Sequence, residues 1–242
     1  MDILLTNDDG CDAPGLTAAY DALSRLGTVH VVAPMTERSA CSHTISLYRP
    51  ISVERTTRER FGLVHAVDGT PADCVRLAVA ELLEGPIDLV VAGINSGANT
   101  GVDMFYSGTI AGAREAAILG IPAIAVSQAV RAKIDTDWVA TGEITAELVR
   151  ELHCETLPGP GFWSINLPAP LPDDPKRHVH RVPVATEPVP LMFHRRDGAD
   201  KTVTQFGYGR AYWVREVTEP SDYSVIRDGG IAVTAIPTFG RF

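Results

Sequence analysis

The sequence predicts an α/β fold in which a mostly parallel, doubly wound sheet lies in three layers between helices, followed by a β-rich C-terminal extension. Three observations predict it. Short apolar runs (2–6, 29–33, 87–92, 121–127 and 162–167) alternate with longer stretches in which apolar residues recur at helical spacing. The runs are nearly continuous in Ile, Leu, Val and Ala, as strands covered on both faces require. Several of the runs end in turn formers such as Asn, Asp, Gly or Pro.

Taken in order, Asp2–Thr6 is a buried strand that stops at Asn7-Asp8-Asp9-Gly10. Pro14 stands at the start of a helix whose apolar face is Leu16, Ala19, Tyr20, Leu23 and Leu26, with Gly27 as the stop. Val29–Ala33, ended by Pro34, is a second parallel strand. Residues 45–67 alternate loosely around Arg49-Pro50 and the charged stretch Glu54–Arg60, which predicts a hairpin rather than a crossover helix. Thr70-Pro71-Ala72-Asp73 has a capping-box layout, with Asp in place of the usual Glu or Gln, and opens a helix to about Leu83.

The strand Ile87–Ala92 feeds a polar, glycine-rich segment from Gly93 to Gly108, after which Thr109–Leu119 reads as an Ala-rich helix. Ile121–Ser127 is a strand, residues from about Asp135 to Leu152 a helix, and Phe162–Leu167 a strand. Beyond Pro168 the texture changes: Pro170, Pro172 and Pro175 follow, then strand-like pieces at Val203–Phe206 and Tyr212–Val217. The expected division is a core of residues 1–168 and an extension of 169–242 used in subunit contacts.

Composition narrows the function. The 242 residues are 45% hydrophobic and 21% charged, as in an ordinary globular chain. A formal charge of −9 argues against a protein that grips a nucleic-acid backbone, because that needs clustered Lys and Arg. No apolar run approaches the roughly 20 residues of a membrane span, and the N-terminus starts on a strand rather than a basic signal segment, so the expected location is cytoplasmic. Cys11, Cys41, Cys74 and Cys154 form no Cys-x-x-Cys pair and read as free thiols.

In open parallel sheets ligands bind beyond the carboxyl ends of the strands. That rule selects three loops: Asn7–Gly10, the loop holding Glu37-Arg38-Ser39, and Gly93–Asn99. The adjacent carboxylates Asp8 and Asp9 suit a hard divalent cation, although such a turn can equally satisfy backbone groups at a strand end. Ser39 and Asn95 carry neutral oxygens that would complete an all-oxygen sphere. Tyr106-Ser107-Gly108-Thr109 opens a helix, so its hydroxyls and free N–H groups point at an anion or simply cap the helix.

Other signatures are excluded. Asp68-Gly69-Thr70 resembles the end of a haloacid-dehalogenase phosphatase motif, but Ala66 stands where the nucleophilic Asp belongs. No Walker A loop, Gly-x-Ser-x-Gly elbow or Gly-x-Gly-x-x-Gly fingerprint occurs. Cys41 and His43 lie two residues apart and make a poor nucleophile and base pair.

Together the motifs resemble the SurE family of stationary-phase survival proteins, which act as 5'- and 3'-nucleotidases. The matching pieces are Ile3–Gly10, Val32-Ala33-Pro34 with Glu37–Ala40 and Ser42-His43, Gly69–Val75, Asp88–Asn99, Ser107-Gly108-Thr109 and Ile165–Pro168. Tyr212-Trp213 and Gly230–Pro237 fit as well. The resemblance implies a Rossmann-like core in which Asp8, Asp9, Ser39 and Asn95 bind one divalent ion, Mg²⁺ or Mn²⁺. It also implies a homodimer or homotetramer that hydrolyses nucleoside monophosphates, with some members cleaving short polyphosphate. Asn99, Ser107, Gly108 and Thr109 would hold the phosphate, and Asp8 and Asp9 would be catalytic, with Asp9 as proton acceptor. One departure is Met35-Thr36, where the family usually has an acidic then a basic residue. Two other readings stay open: a phosphatase dedicated to one phosphorylated biosynthetic intermediate, and a non-catalytic nucleotide-binding module.

Overall fold

A computed structural model describes residues 1–131, 134–197, 203–209 and 215–239. The strands are β1 (Asp2–Thr6), β2 (Thr28–Pro34), β3 (Val53–Arg58), β4 (Gly62–Val67), β5 (Leu89–Ser96), β6 (Ala123–Gln128), β7 (Gly161–Leu167), β8 (Val179–Arg181), β9 (Phe193–Asp197), β10 (Thr204–Tyr208) and β11 (Ile231–Pro237). The helices are α1 (Pro14–Leu23), α2 (Pro71–Leu77), α3 (Gly108–Ile118), α4 (Trp138–His153) and α5 (Asp222–Arg227). Nine strands form one sheet in the order β3-β4-β2-β1-β5-β6-β7-β11-β8, and β9 pairs with β10 apart from it. From β4 to β7 neighbouring strands are parallel; β3 and β11 run antiparallel to β4 and β7.

Alternation along each strand sends successive side chains to opposite layers. In β1, Ile3 and Leu5 join a cluster with Leu16, Leu23, Ile144 and Val149 of α1 and α4. Leu4 faces the other way, with Val75 of α2 and Ile110, Ala113 and Ala116 of α3. Leu4 is fully buried, and burying one such side chain stabilises by about 2 kcal/mol. Because both faces are covered, the central strands need the unbroken apolar runs seen in the sequence.

Local signals explain most element ends. Thr70 accepts a hydrogen bond from Asp73 N at 3.2 Å while Asp73 Oδ2 accepts from Thr70 N at 3.0 Å, so the expected capping box forms. The helical stretch it opens runs to Leu82, close to the expected end, with α2 widening after Leu77 into a π-helical turn over Ala78–Leu82. The hairpin expected within residues 45–67 is β3 and β4, and β4 joins the main sheet beside β2.

Two differences bear on the site. β5 does not stop at Ala92 but runs to Ser96, with an irregularity between Ala92 and Asn95, so Asn95 sits on a strand end. The stretch after Pro168 is also divided between two places: β8 and β11 extend the main sheet, and the β9–β10 hairpin lies outside it. The strand-like piece Val203–Phe206 corresponds to β10. Of the strand expected at 212–217, residues 212–214 lie outside the described residues and 215–217 carry no strand. Among the described residues no helix is long and apolar enough to cross a membrane.

Candidate active site

The site forms where β1, β2 and β5 end and α3 begins. After β1, Asn7 Nδ2 donates to Gly10 O at 2.9 Å, closing the turn, and Gly10 takes φ +99°, a left-handed conformation that favours glycine. Arg38 N donates to Asp8 O at 2.7 Å, which locks the loop after β2 onto the same turn. Asp8 and Asp9 are thereby fixed at the carboxyl edge of the sheet, as the strand-end rule requires.

Asp8 is 4% exposed. Burial pushes its carboxyl up to about 6, opposed by the Thr109 hydroxyl, which donates to Oδ1, and assisted by the charge of Asp9. Asp9 is half-buried, and its carboxyl is also raised, first by burial and then by the charge of Glu37, while Ser96 N donates to its Oδ2 at 2.8 Å. Both carboxyls are thus harder to ionise than usual, and a nearby positive charge would lower them again.

α3 closes the site from the other side. Ser107 caps the helix, its Oγ accepting from Ile110 N at 3.1 Å, so its own O–H proton is left for another acceptor. A Cβ added at Gly108 would lie 2.8 Å from Asp8 Cβ and 2.9 Å from Cys41 Sγ. Only glycine lets the helix N-terminus sit this close to the carboxylate. Thr109, expected among the phosphate contacts, is fully buried and its hydroxyl is committed to Asp8.

The remaining expected residues fall nearby. Asn95 Nδ2 donates to Gly97 O at 2.6 Å, which leaves its Oδ1 as the oxygen for a ligand. Ser39 is exposed and its Oγ donates to Glu37 Oε1 at 2.5 Å; it belongs to the loop that Arg38 ties to Asp8. Asn99 is held by its backbone to Asn166 and by its side chain to Ser127.

The donor set fits a hard divalent ion: two carboxylates, a serine hydroxyl and an asparagine carbonyl are all oxygen ligands, and the Asn7 Oδ1 behind them is buried without a hydrogen-bond partner. Among the described residues no group of three or more His, Cys, Asp or Glu gathers at metal-binding spacing. The fit therefore depends on the neutral oxygens of Ser39 and Asn95.

Other residues near the site take structural rather than chemical parts. Glu37 is near enough to raise Asp9 and holds Ser39. Cys41 packs against Gly108, and its thiol is pushed up to about 11, mainly by burial and next by the charge of Asp8. His43 Nε2 pairs with buried Glu115 of α3 at 2.7 Å. Cys41 and His43 thus form no nucleophile and base pair. Asp68 is bound by Arg38 at 2.7 Å and Arg49 at 3.0 Å, a structural role. Met35, at the departure from the family pattern, packs its side chain against the core.

The profile of the family described as Survival protein SurE matches residues 3–187. A 5'-nucleotidase SurE from Geotalea uraniireducens is 40% identical over 243 residues, 98% of this chain and 92% of its own length. Another from Geobacter sulfurreducens is 39% identical over 244 residues, 98% of this chain and 87% of its own. The crystal structure of the SurE protein from Aquifex aeolicus superposes with a TM-score of 0.83 at 31% identity, covering 100% of this chain and 95% of that one. With its sheet order, its paired aspartates and these matches over nearly its whole length, the chain belongs to the SurE family.

Proposed function

We propose that this chain is a divalent-metal-dependent phosphatase that hydrolyses nucleoside 5'- and 3'-monophosphates to nucleoside and phosphate, with short polyphosphate as a further substrate. The observation that carries the reading is the seat of Asp8 directly beneath Gly108, at the start of α3, with Asp9 beside it. The names of the relatives support the nucleotidase part.

Asp8, Asp9, Ser39 and Asn95 would hold one Mg²⁺ or Mn²⁺ ion. Bound there, such an ion would supply charge neutralisation at the phosphoryl oxygens and would favour ionisation of a water. Phosphoryl transfer needs chiefly positioning and charge stabilisation, and the chain provides both. The backbone N–H of Gly108, the Ser107 hydroxyl proton and the second N–H of the Asn99 amide would hold the phosphate. Thr109 holds Asp8 in one rotamer. Ser96 N fixes Asp9 through Oδ2, so the carboxylate that would bind the ion is also held where it would accept the proton of the attacking water. The chain works as a homodimer or homotetramer in the cytoplasm.

The test is phosphate release from 5' and 3' nucleotides, ribose 5-phosphate and tripolyphosphate, with Mg²⁺, with Mn²⁺ and after chelation. Release from the nucleotides with either metal, lost on chelation, is expected. Absence of release from every substrate sinks the reading, and release from ribose 5-phosphate alone turns it into a dedicated sugar-phosphatase.

A further inference from the structure

Three consecutive residues of the segment between β5 and α3 are gripped by side chains that lie far along the chain. Asn166, at the carboxyl end of β7, clasps the backbone of Asn99 on both sides: its Oδ1 accepts from Asn99 N at 2.8 Å and its Nδ2 donates to Asn99 O at 3.2 Å. The next residue, Thr100, receives the buried Arg215, whose Nη2 donates to Thr100 Oγ1 at 3.0 Å and to Asp103 Oδ2 at 3.0 Å. Gly101 N then donates to Asp222 Oδ2 at 2.8 Å, while Asp222 Oδ1 accepts from Ala185 N and Tyr223 N. All three gripping residues are 4% exposed or less.

We infer that Asn166 and Asp222 are positioning residues of the proposed phosphatase reaction. They act through Asn99 and the turn that leads to Ser107, and so the residues beyond 165 build the active site rather than only flank it. The inference rests on the phosphatase reading.

The chemistry singles out an amide at 166. Asn99 presents a donor and an acceptor, and only a side chain with both can satisfy them at once. With the backbone fixed, the Asn99 side chain keeps two torsions, and Ser127 Oγ restrains them by accepting one N–H of its amide at 2.8 Å. The other N–H is then aimed without further ordering cost when phosphate arrives. Asp222 does the same for Gly101 with a carboxylate that accepts three backbone N–H groups and that no phosphate needs to touch.

The experiment compares Asn166→Ala, Asn166→Asp and the milder Ser127→Ala with wild type. KM and kcat for AMP, competitive inhibition by inorganic phosphate and Mn²⁺ affinity by calorimetry are read separately, each protein being checked for an intact melting transition. A lost hydrogen bond of ordinary strength corresponds to about a tenfold change in affinity. Asn166→Ala is expected to raise KM and the phosphate inhibition constant together by about tenfold, with Mn²⁺ affinity changed by less than about threefold. Asn166→Asp fills the same space but turns an oxygen toward Asn99 O, so it is expected to be at least as impaired; a merely space-filling residue would be rescued by it. Ser127→Ala is expected to give a smaller change in the same direction. Wild-type KM and phosphate inhibition in a folded Asn166→Asp or Ser127→Ala overturn the inference, as does an equal loss of metal and phosphate affinity. If wild type itself releases no phosphate from AMP, the phosphatase reading falls and takes the inference with it.

Discussion

Gly108→Ala is the sharpest single perturbation of the site. The added methyl would stand 2.8 Å from Asp8 Cβ, 2.9 Å from Asp8 Oδ2 and 2.9 Å from Cys41 Sγ, where ordinary contact begins at 3.4 Å. Asp8 cannot swing clear, because it is buried and its Oδ1 is held by Thr109. Either the carboxylate or the start of α3 must therefore move by about half an ångström. Overpacking of this kind costs about 2 kcal/mol, or a fall of about 6 °C in Tm for a chain of this size. A displacement approaching 1 Å at reacting groups costs up to about a hundredfold in rate, so kcat for AMP is expected to fall by about 10–100-fold in a protein that remains folded. Thermal melts and steady-state phosphate release with saturating Mn²⁺ read the two effects. Wild-type kcat and wild-type Tm together would refute the reasoning, since they would mean that the helix and the carboxylate are not in contact.

Three further outcomes follow from the same geometry. The Asp8 carboxyl is raised from the usual 3.8 to about 6, so the folded chain binds that proton more tightly; this contribution is complete below pH 4 and disappears as pH rises through 6. Asp8→Asn should then stabilise the chelated protein by roughly 3 kcal/mol at pH 8, with no gain at pH 4, while abolishing Mn²⁺ binding; a destabilised variant at pH 8 would contradict the assignment. Glu115 is held below its ordinary 4.5, first by the hydrogen bond from His43, so its stabilisation is present above pH 4.5 and is lost as pH falls further. Denaturant melts of Glu115→Gln should show a deficit of about 2 kcal/mol at pH 7 that narrows below pH 4, and a constant deficit would count against the ion pairs. Cys41, with its thiol pushed up to about 11, should resist iodoacetamide at pH 8 while exposed Cys154 reacts; mass spectrometry showing fast labelling at Cys41 would reopen its role as a nucleophile.

The layers were legible because they rest on local rules. The uninterrupted apolar strands, Pro14 and the Thr70–Asp73 capping box each act within a few residues, and each element formed where its signal lay. The carboxyl-edge rule likewise selected three loops that do meet, since Arg38 N bonds Asp8 O and Ser96 N bonds Asp9 Oδ2. What stayed hidden depends on distant pairs. Asn95 was expected in a loop because glycine and polar residues follow Ala92, yet pairing with Ser127 on β6 carries the strand through that stretch past an irregularity. β11 reaches β7 across more than sixty residues, and no periodicity announces which edge it will choose. The grip of Asn166 on Asn99 and of Asp222 on Gly101 is equally non-local. Thr109 shows the limit of motif reading in another way: a hydroxyl at a helix start invites an anion-binding role, and only the fold brings it to the Asp8 carboxylate in the turn after β1.

The central claim is that Asp8, Asp9, Ser39 and Asn95 hold a single divalent ion. It is tested most directly by anomalous diffraction from crystals of the protein grown with Mn²⁺. The account predicts one strong peak per chain, about 2 Å from carboxylate oxygens of both Asp8 and Asp9 and within reach of Ser39 Oγ and Asn95 Oδ1. Fully ionised crystals at pH 8 with no peak at that position, or with the only peak elsewhere in the chain, would contradict it.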